Sequence, residues 1–313
     1  MTHRILLYYC YTPLADPAQF REEHHLFCLA HRLRGRIIVA AEGLNGTVSG
    51  LAADCERYVA HLKADPRFAA IDFKVEEHDG HAFRKLHVRV KPEIVHADLP
   101  HLDPNRRTGV YLAPAEFKRV KNGEDVIILD VRSTYEHRLG RFKNAVTLDM
   151  EHFREFPEKV RELEPFRDKK IITYCTGGIK CEKASAYLLE QGFENVYQLH
   201  GGIIKYGLTE GGEDFEGQCY VFDDRLAVPV NRVNPTVVSR CHACDTASDR
   251  MINCANPHCN AHLPLCENCG WELEGACSPP CQSDPDKRPY DGTGHYARDS
   301  NGYNPYLNAQ RKG

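Results

Sequence analysis

The stretch Lys170-Ile-Ile-Thr-Tyr-Cys-Thr-Gly-Gly-Ile-Lys-Cys-Glu-Lys-Ala184 reads as an apolar strand, a glycine-bearing loop and a helix. Cys175 stands where the strand ends, and Lys183-Ala-Ser-Ala-Tyr-Leu-Leu189 continues the helical run. A loop of this shape can turn its backbone N–H groups toward one atom, and the helix start adds partial positive charge there. A thiol at that point loses its proton more readily than a free cysteine, and the thiolate is the reactive form. Gly177 and Gly178 allow the tight turn. Working outward, Val126-Ile-Ile-Leu-Asp-Val-Arg132 is a strand ending in charge, and Val196-Tyr-Gln-Leu-His-Gly-Gly-Ile203 is a strand running into a glycine turn. Apolar strands separated by helical runs predict a parallel α/β sheet with helices on both faces. Asp130 and Cys175 then both fall at carboxyl ends of strands, where such sheets carry their sites. Asp130 and Arg132 are candidate supporting residues, and a salt bridge pinning neighbouring loops is the plainer expectation for them.

The Asp-Val-Arg strand, the cysteine loop and the Leu-x-Gly-Gly-Ile turn together resemble a rhodanese domain over about residues 106–222. In that family the loop cysteine carries a persulfide, and Cys175 is the matching position. Phosphatases of related architecture use a longer C-x5-R cradle. Here Cys175 to Lys180 is C-x4-K, a cradle suited to a single sulfur. The active-site loop is therefore Cys175 with Thr176, Gly177, Gly178, Ile179, Lys180 and Cys181. Cys181 could resolve a persulfide as a disulfide, or pack in the first helical turn as a small apolar side chain.

A narrower resemblance rests on three regions. Cys175-Thr-Gly-Gly-Ile-Lys-Cys-Glu-Lys-Ala184, Ala41-Glu-Gly-Leu-Asn-Gly-Thr47 and Gly217-Gln-Cys-Tyr-Val-Phe-Asp-Asp-Arg225 are similar to the rhodanese-related tRNA uridine hydroxylases. The family pattern has Arg where Lys180 stands, so the charge is kept but the planar fork is not. The resemblance implies oxygen-dependent hydroxylation of the wobble uridine, position 34, to 5-hydroxyuridine. The partner would be tRNA through its anticodon loop, molecular oxygen the co-substrate and Cys175 the essential residue. No dinucleotide fingerprint points to flavin or nicotinamide. A sulfurtransferase passing persulfide sulfur to an acceptor, and a non-enzymatic RNA-binding scaffold, are the alternatives.

The 313 residues, 42% hydrophobic and 27% charged, read as a globular protein of several domains. No apolar run reaches membrane-spanning length, so no membrane partner is expected. The N-terminal apolar stretch is too short for a secretory signal, and a cytoplasmic address is expected. The formal charge of −4 gives no global attraction to nucleic acid, so any RNA contact needs a local patch. Residues 1–96 read as a ferredoxin-like α+β domain: strands at Ile5–Tyr11, Arg36–Ala41, Thr47–Ser49, Phe73–Glu77 and Lys85–Val90, with helices at Asp16–Arg34 and Leu51–Lys63. Glu42-Gly-Leu-Asn-Gly46 reads as a glycine-asparagine turn. His78–Lys91 collects Arg84, Lys85, Arg89 and Lys91 around Phe83, either a phosphate-binding cluster with a ring for base stacking or a plain solvated strand face. Residues 97–109 are the linker, and 110–222 the rhodanese domain.

Residues 223–313 form a cysteine-rich region and tail. Of the fourteen cysteines, eight fall between positions 241 and 281: Cys241, Cys244, Cys254, Cys259, Cys266, Cys269, Cys277 and Cys281. In a long chain without a signal this favours metal over disulfides. Tetrahedral zinc takes four soft ligands, so two structural zinc ions are expected, with sequential or interleaved pairing. His242, His258 or His262 could replace a cysteine. The tail alternates Tyr290, Tyr296, Tyr303 and Tyr306 with Arg288, Arg298 and Arg311. It reads as disordered, or as lying over the folded domains or on RNA.

Overall fold

A computed structural model describes residues 2–294 except position 124. Tyr296, Arg298, Tyr303, Tyr306 and Arg311 of the tail lie outside the described residues. The chain divides into two compact units. The described residues through Thr134, with Asn144–Gly212 and Asp223–Arg225, form the first; Tyr135–Lys143, Glu213–Phe222 and the described residues from Leu226 onward form the second.

The first unit begins with β1 (His3–Tyr11), α1 (Pro17–Ala30), β2 (Arg34–Ala40), β3 (Gly43–Leu51), α2 (Ala52–Ala64), β4 (Lys74–His78) and β5 (Leu86–Val90). Helix α1 starts where its sequence directs. The Asp16 carboxylate accepts the Gln19 N–H at 2.9 Å, and Pro17 occupies the first turn. The sheet order is β4-β1-β3-β2-β5. Its first four strands are antiparallel neighbours, the ferredoxin-like order, and β5 adds parallel to β2. Leu6, Tyr8, Val39, Leu44, Val48, Tyr58 and Phe68 fill the core between sheet and helices.

The expected turn at Glu42–Gly46 is instead the first half of β3; the reversal occupies only Ala41 and Glu42. The glycines serve close approach. A Cβ on Gly46 would sit 2.3 Å from the Tyr8 hydroxyl, and one on Gly43 2.0 Å from the Cys10 carbonyl oxygen.

Downstream come β6 (Val110–Leu112), α3 (Pro114–Gly123), β7 (Val126–Asp130), α4 (Thr134–Leu139), β8 (Gly140–Phe142), β9 (Val146–Thr147), α5 (Phe156–Lys159), β10 (Lys170–Tyr174), α6 (Ile179–Glu190), β11 (Val196–Leu199) and α7 (Gly202–Glu210). Five of these strands form an all-parallel sheet ordered β6-β11-β10-β7-β9. Consecutive residues Ile171 and Ile172, which point to opposite faces of the sheet, are both fully buried, because both faces are covered. On one face Cys181, Ala184 and Leu188 of α6 pack with Phe153, Phe156 and Leu163. Helices α3 and α7 meet through Phe117 and Tyr206, with ring centroids 5.5 Å apart.

The second unit holds a small antiparallel sheet ordered β13-β12-β8 and a hairpin of β14 and β15. Strands β12 (Phe215–Tyr220), β13 (Ala227–Pro229), β14 (Met251–Asn253) and β15 (His262–Pro264) precede the short helices α8 (Glu267–Glu272) and α9 (Pro279–Gln282). The sequence reading placed a boundary after position 222. Compactness instead assigns 135–143 and 213–222 to the second unit, because Phe215–Gly217 pairs with Gly140–Phe142 and Gln218–Tyr220 with Ala227–Pro229.

Candidate active site and cysteine clusters

Cys175 follows β10 directly, one residue beyond the carboxyl end of the strand. Its loop closes on itself. Gly178 adopts φ +102° as the residue capping α6, and its N–H donates to the Cys175 Sγ at 3.2 Å. Only glycine takes that φ without strain. The second glycine turn locks the loop from outside. The N–H groups of Ile203 and Ile204, in the first turn of α7, donate to the carbonyls of Cys175 and Thr176 at 3.0 and 3.1 Å. A Cβ on Gly202 would stand 2.5 Å from the Cys175 carbonyl oxygen. The Leu-His-Gly-Gly-Ile stretch is therefore the backing plate of the cysteine loop.

The Cys175 side chain is only 1% exposed. Burial pushes its thiol pKa up. The Cys181 thiol's hydrogen bond, the Lys180 charge and the N–H groups of Lys180 and Gly178 outweigh burial and bring it to about 7. Burial and the neighbouring Cys175 push the Cys181 thiol the other way, so Cys181 stays protonated and donates. Thr176, Ile179 and Lys180 are half-buried, while Gly177 and Gly178 are buried. Asp130 and Arg132, both 0% exposed, face each other. The guanidinium donates twice to the carboxylate at 2.9 and 2.6 Å, and the Arg132 N–H donates to it at 3.0 Å. This is a bidentate buried pair that ties β7 to the turn after it.

Sequence reasoning missed two residues next to the loop. Glu182, 3% exposed, accepts from Tyr9 at 2.8 Å, Tyr111 at 2.9 Å, Thr108 at 3.1 Å and Gln198 at 3.2 Å. The Lys183 ammonium, fully buried, meets Glu42 at 2.8 Å and donates to the carbonyls of Leu99 and Leu102 at 3.1 and 2.9 Å. Glu42 also accepts the Ile94 N–H at 2.8 Å. The Glu-Gly-Leu-Asn-Gly and Cys-loop stretches, more than a hundred positions apart, are thus joined by one ion pair. The available signal was two adjacent charges opening a helix otherwise rich in alanine and leucine.

Arg84, Lys85, Arg89 and Lys91 are exposed along β5 and its approaches, and Arg84 reaches Asp224 at 3.8 Å. Phe83 is not available for stacking. It is 3% exposed, packed with Ile5 and Ala82, because the chain before β5 turns its apolar ring inward.

In the second unit the eight cysteines sort into two quartets: Cys241, Cys244, Cys266 and Cys269, and Cys254, Cys259, Cys277 and Cys281. The pairing is interleaved. Sulfurs lie 3.7 Å apart for Cys244–Cys266 and Cys259–Cys277, and 3.6 Å for Cys277–Cys281. Ligands about 2.3 Å from one tetrahedral ion lie about 3.8 Å from each other, far beyond the roughly 2 Å of a disulfide. The N–H groups of Cys266 and Cys277 donate to the sulfurs of Cys241 and Cys254 at 3.3 Å. Both quartets could hold a metal ion. The histidines stand outside them: His262 bonds Tyr220 at 2.8 Å and His258 bonds Asp286 at 2.9 Å.

Among the described residues no helix is long and apolar enough to cross a membrane. Residues 3–94 match the family model described as a UPF0176 acylphosphatase-like domain, residues 113–208 a rhodanese-like domain, and residues 216–282 a rhodanese C-terminal region. A protein of Cytophaga hutchinsonii named tRNA uridine(34) hydroxylase is 65% identical over 309 residues, covering 99% of each chain. A Staphylococcus aureus protein of the same name is 46% identical over 285 residues, covering 90% of each chain.

Proposed function

The chain belongs to the tRNA uridine(34) hydroxylase family, and from that premise we propose that it hydroxylates uridine 34 of tRNA at C5 with molecular oxygen. The identity of 65% over 99% of both chains carries this reading. One oxygen atom enters the base; the other leaves as water with two electrons and two protons from a reductant. Cys175 is the residue proposed to do the sulfur chemistry, as thiolate or persulfide. Its sulfur accepts the Gly178 N–H and sits near neutrality in pKa, which suits a nucleophile at cellular pH. A wobble base is unstacked in its loop and can be turned into a pocket at small cost. Arg84, Lys85, Arg89 and Lys91 are proposed to hold the anticodon-loop phosphates, and the setting is proposed to be the cytoplasm.

The metal proposed for both quartets is zinc. The aliphatic side chains at the core of this region are Ile252, Leu263 and Leu265, worth together about 5–9 kcal/mol of burial. Ordering tens of residues costs several times that. A four-thiolate zinc site contributes on the order of 10–16 kcal/mol, so the ions would hold this region folded, with no open coordination position for chemistry.

The test is expression of the chain in cells lacking uridine-34 hydroxylation, followed by mass spectrometry of tRNA nucleosides. Restored 5-hydroxyuridine derivatives are the expected result. Their absence from cells that accumulate folded protein overturns the reading, and thiosulfate-to-cyanide sulfur transfer in that same protein would put a sulfurtransferase in its place.

A further inference from the structure

Lys74 is a buried cation with no part in the chemistry above. It opens β4 of the N-terminal sheet, and its side chain is 3% exposed. A lysine so deeply enclosed is costly unless its charge is used or paired. Its ammonium lies 5.0 Å from the centre of the Tyr9 ring. The hydroxyl of Tyr9 in turn comes within 3.0 Å of where a Cβ on Gly178 would stand, and Gly178 is the residue whose N–H holds the Cys175 sulfur. The ammonium therefore stands one aromatic ring away from the reactive loop.

Its carboxylate partner does not neutralise it. Asp72 lies 3.6 Å from Lys74 but also 2.9 Å from Lys205 and 3.9 Å from His200. Two ammonium groups share one carboxylate, so the cluster keeps a net positive charge. The Asp72 side chain is also 39% exposed, and water weakens its field more than that of Lys74.

We propose that Lys74 is a positioning residue of the Cys175 site: its buried ammonium, seated over Tyr9, supplies positive charge from the N-terminal domain that favours the anionic form of the Cys175 sulfur. Ionisable groups around Cys175 include Lys180 and Cys181 on its own segment and Tyr9, Tyr11 and Lys74 from the N-terminal sheet. Behind the tyrosines, the Glu182 carboxylate accepts the Tyr9 hydroxyl at 2.8 Å and the Lys183 ammonium, paired with Glu42, stands 5.9 Å from the centre of the Tyr11 ring. Burial raises the pKa of both tyrosines, so they stay neutral at physiological pH and leave Lys74 as the cation on that side. Lys74 itself faces Asp72, Lys205 and Cys175. Burial lowers its own pKa, and the attraction between it and the thiolate is mutual. The N-terminal domain, on this account, completes the electrostatics of the cysteine as well as presenting RNA.

This inference rests on Cys175 being the reactive sulfur, and its test separates the two. The thiolate absorbance near 240 nm is titrated in the full metal-loaded chain, each variant being read against the same variant carrying Cys175→Ser. The wild-type chain is expected to show a midpoint near 7; a midpoint at or above that of a free thiol, about 8.5, would count against Cys175 and not against Lys74. Lys74→Met is expected to raise the midpoint by on the order of one unit, and Lys74→Arg to restore it. Asp72→Asn is expected to move the midpoint the opposite way, downward. A Lys74→Met midpoint within about 0.2 units of wild type, in protein with an unchanged circular-dichroism spectrum, overturns the proposal. Should that variant fail to fold, an unmoved midpoint in Asp72→Asn overturns it instead.

Discussion

Cysteine is used twice in this chain, in opposite ways. The sulfur of Cys175 is buried among amide dipoles and cations, and its ligand shell is made of hydrogen bonds from its own loop and helix start. The eight cysteines of the second unit gather sulfur against sulfur, with spacings of 3.6–3.7 Å where thiols approach closest. A single thiolate held by N–H groups keeps a lone pair for chemistry. Four thiolates around one ion spend theirs on coordination. The difference lies in the backbone. At Cys175 a positive-φ glycine turns N–H groups onto one atom, while in the second unit the hairpin and short helices bring four side chains to one point.

The strongest way to break this contrast is Cys175→Ser. It should abolish uridine hydroxylation, by at least roughly a thousandfold, while leaving the metal content and the circular-dichroism spectrum unchanged; retained activity would remove the cysteine from the mechanism. Cys241→Ser should do the reverse. Bound metal, measured by plasma emission, should fall from about two equivalents to about one, with increased protease cleavage confined to the second unit. Loss of both equivalents together would show that the quartets fold as one.

A backbone test comes next. Gly202→Ala should destabilise the chain by about 1–3 kcal/mol and shift the Cys175 titration, since its Cβ would overlap the Cys175 carbonyl. An unchanged melting temperature would contradict the backing-plate role.

The pH dependence is a gentler probe. The folded thiol lies at about 7, below the roughly 8.5 of an unfolded one. Its contribution to stability is therefore fully present above about 8.5 and lost as the pH falls through about 7. Hydroxylation per folded molecule should rise with pH across the same midpoint, and a flat profile from pH 6 to 8 would argue against the thiolate. The smallest effect is expected from Arg89→Ala with Lys91→Ala. A severalfold weaker tRNA affinity at low salt, vanishing at high salt, is the signature of phosphate contacts. Salt-independent binding in wild type would place the RNA elsewhere.

Much of the fold was legible because local patterning and global packing agree. Val126–Asp130 and Ile171–Tyr174 read as apolar strands from composition, and the structure has strands at Val126–Asp130 and Lys170–Tyr174, largely buried. Asp16-Pro17 announces its helix, and the sheet of the N-terminal domain follows from the order of strands and helices. The reading failed where glycine has two meanings. Gly43 and Gly46 were read as turn formers, but they clear space for Cys10 and Tyr8 across a strand pair. Phe83, in a basic segment, was read as a stacking ring and is part of the core. Spacing alone marks a candidate ring or turn without saying which surface it faces.

The sequence by itself determined the cysteine, its glycine loop, the parallel sheet beneath it and the number of sulfurs available to metal, because these depend on residues close together in the chain. Tertiary structure alone decided how the eight thiols pair, that Glu42 meets Lys183, and that Lys74 sits over Tyr9 beside the loop. Each of those contacts joins segments whose separation along the chain carries no information about distance. Only the packing of sheets and helices sets which charges face each other in a medium where water no longer screens them.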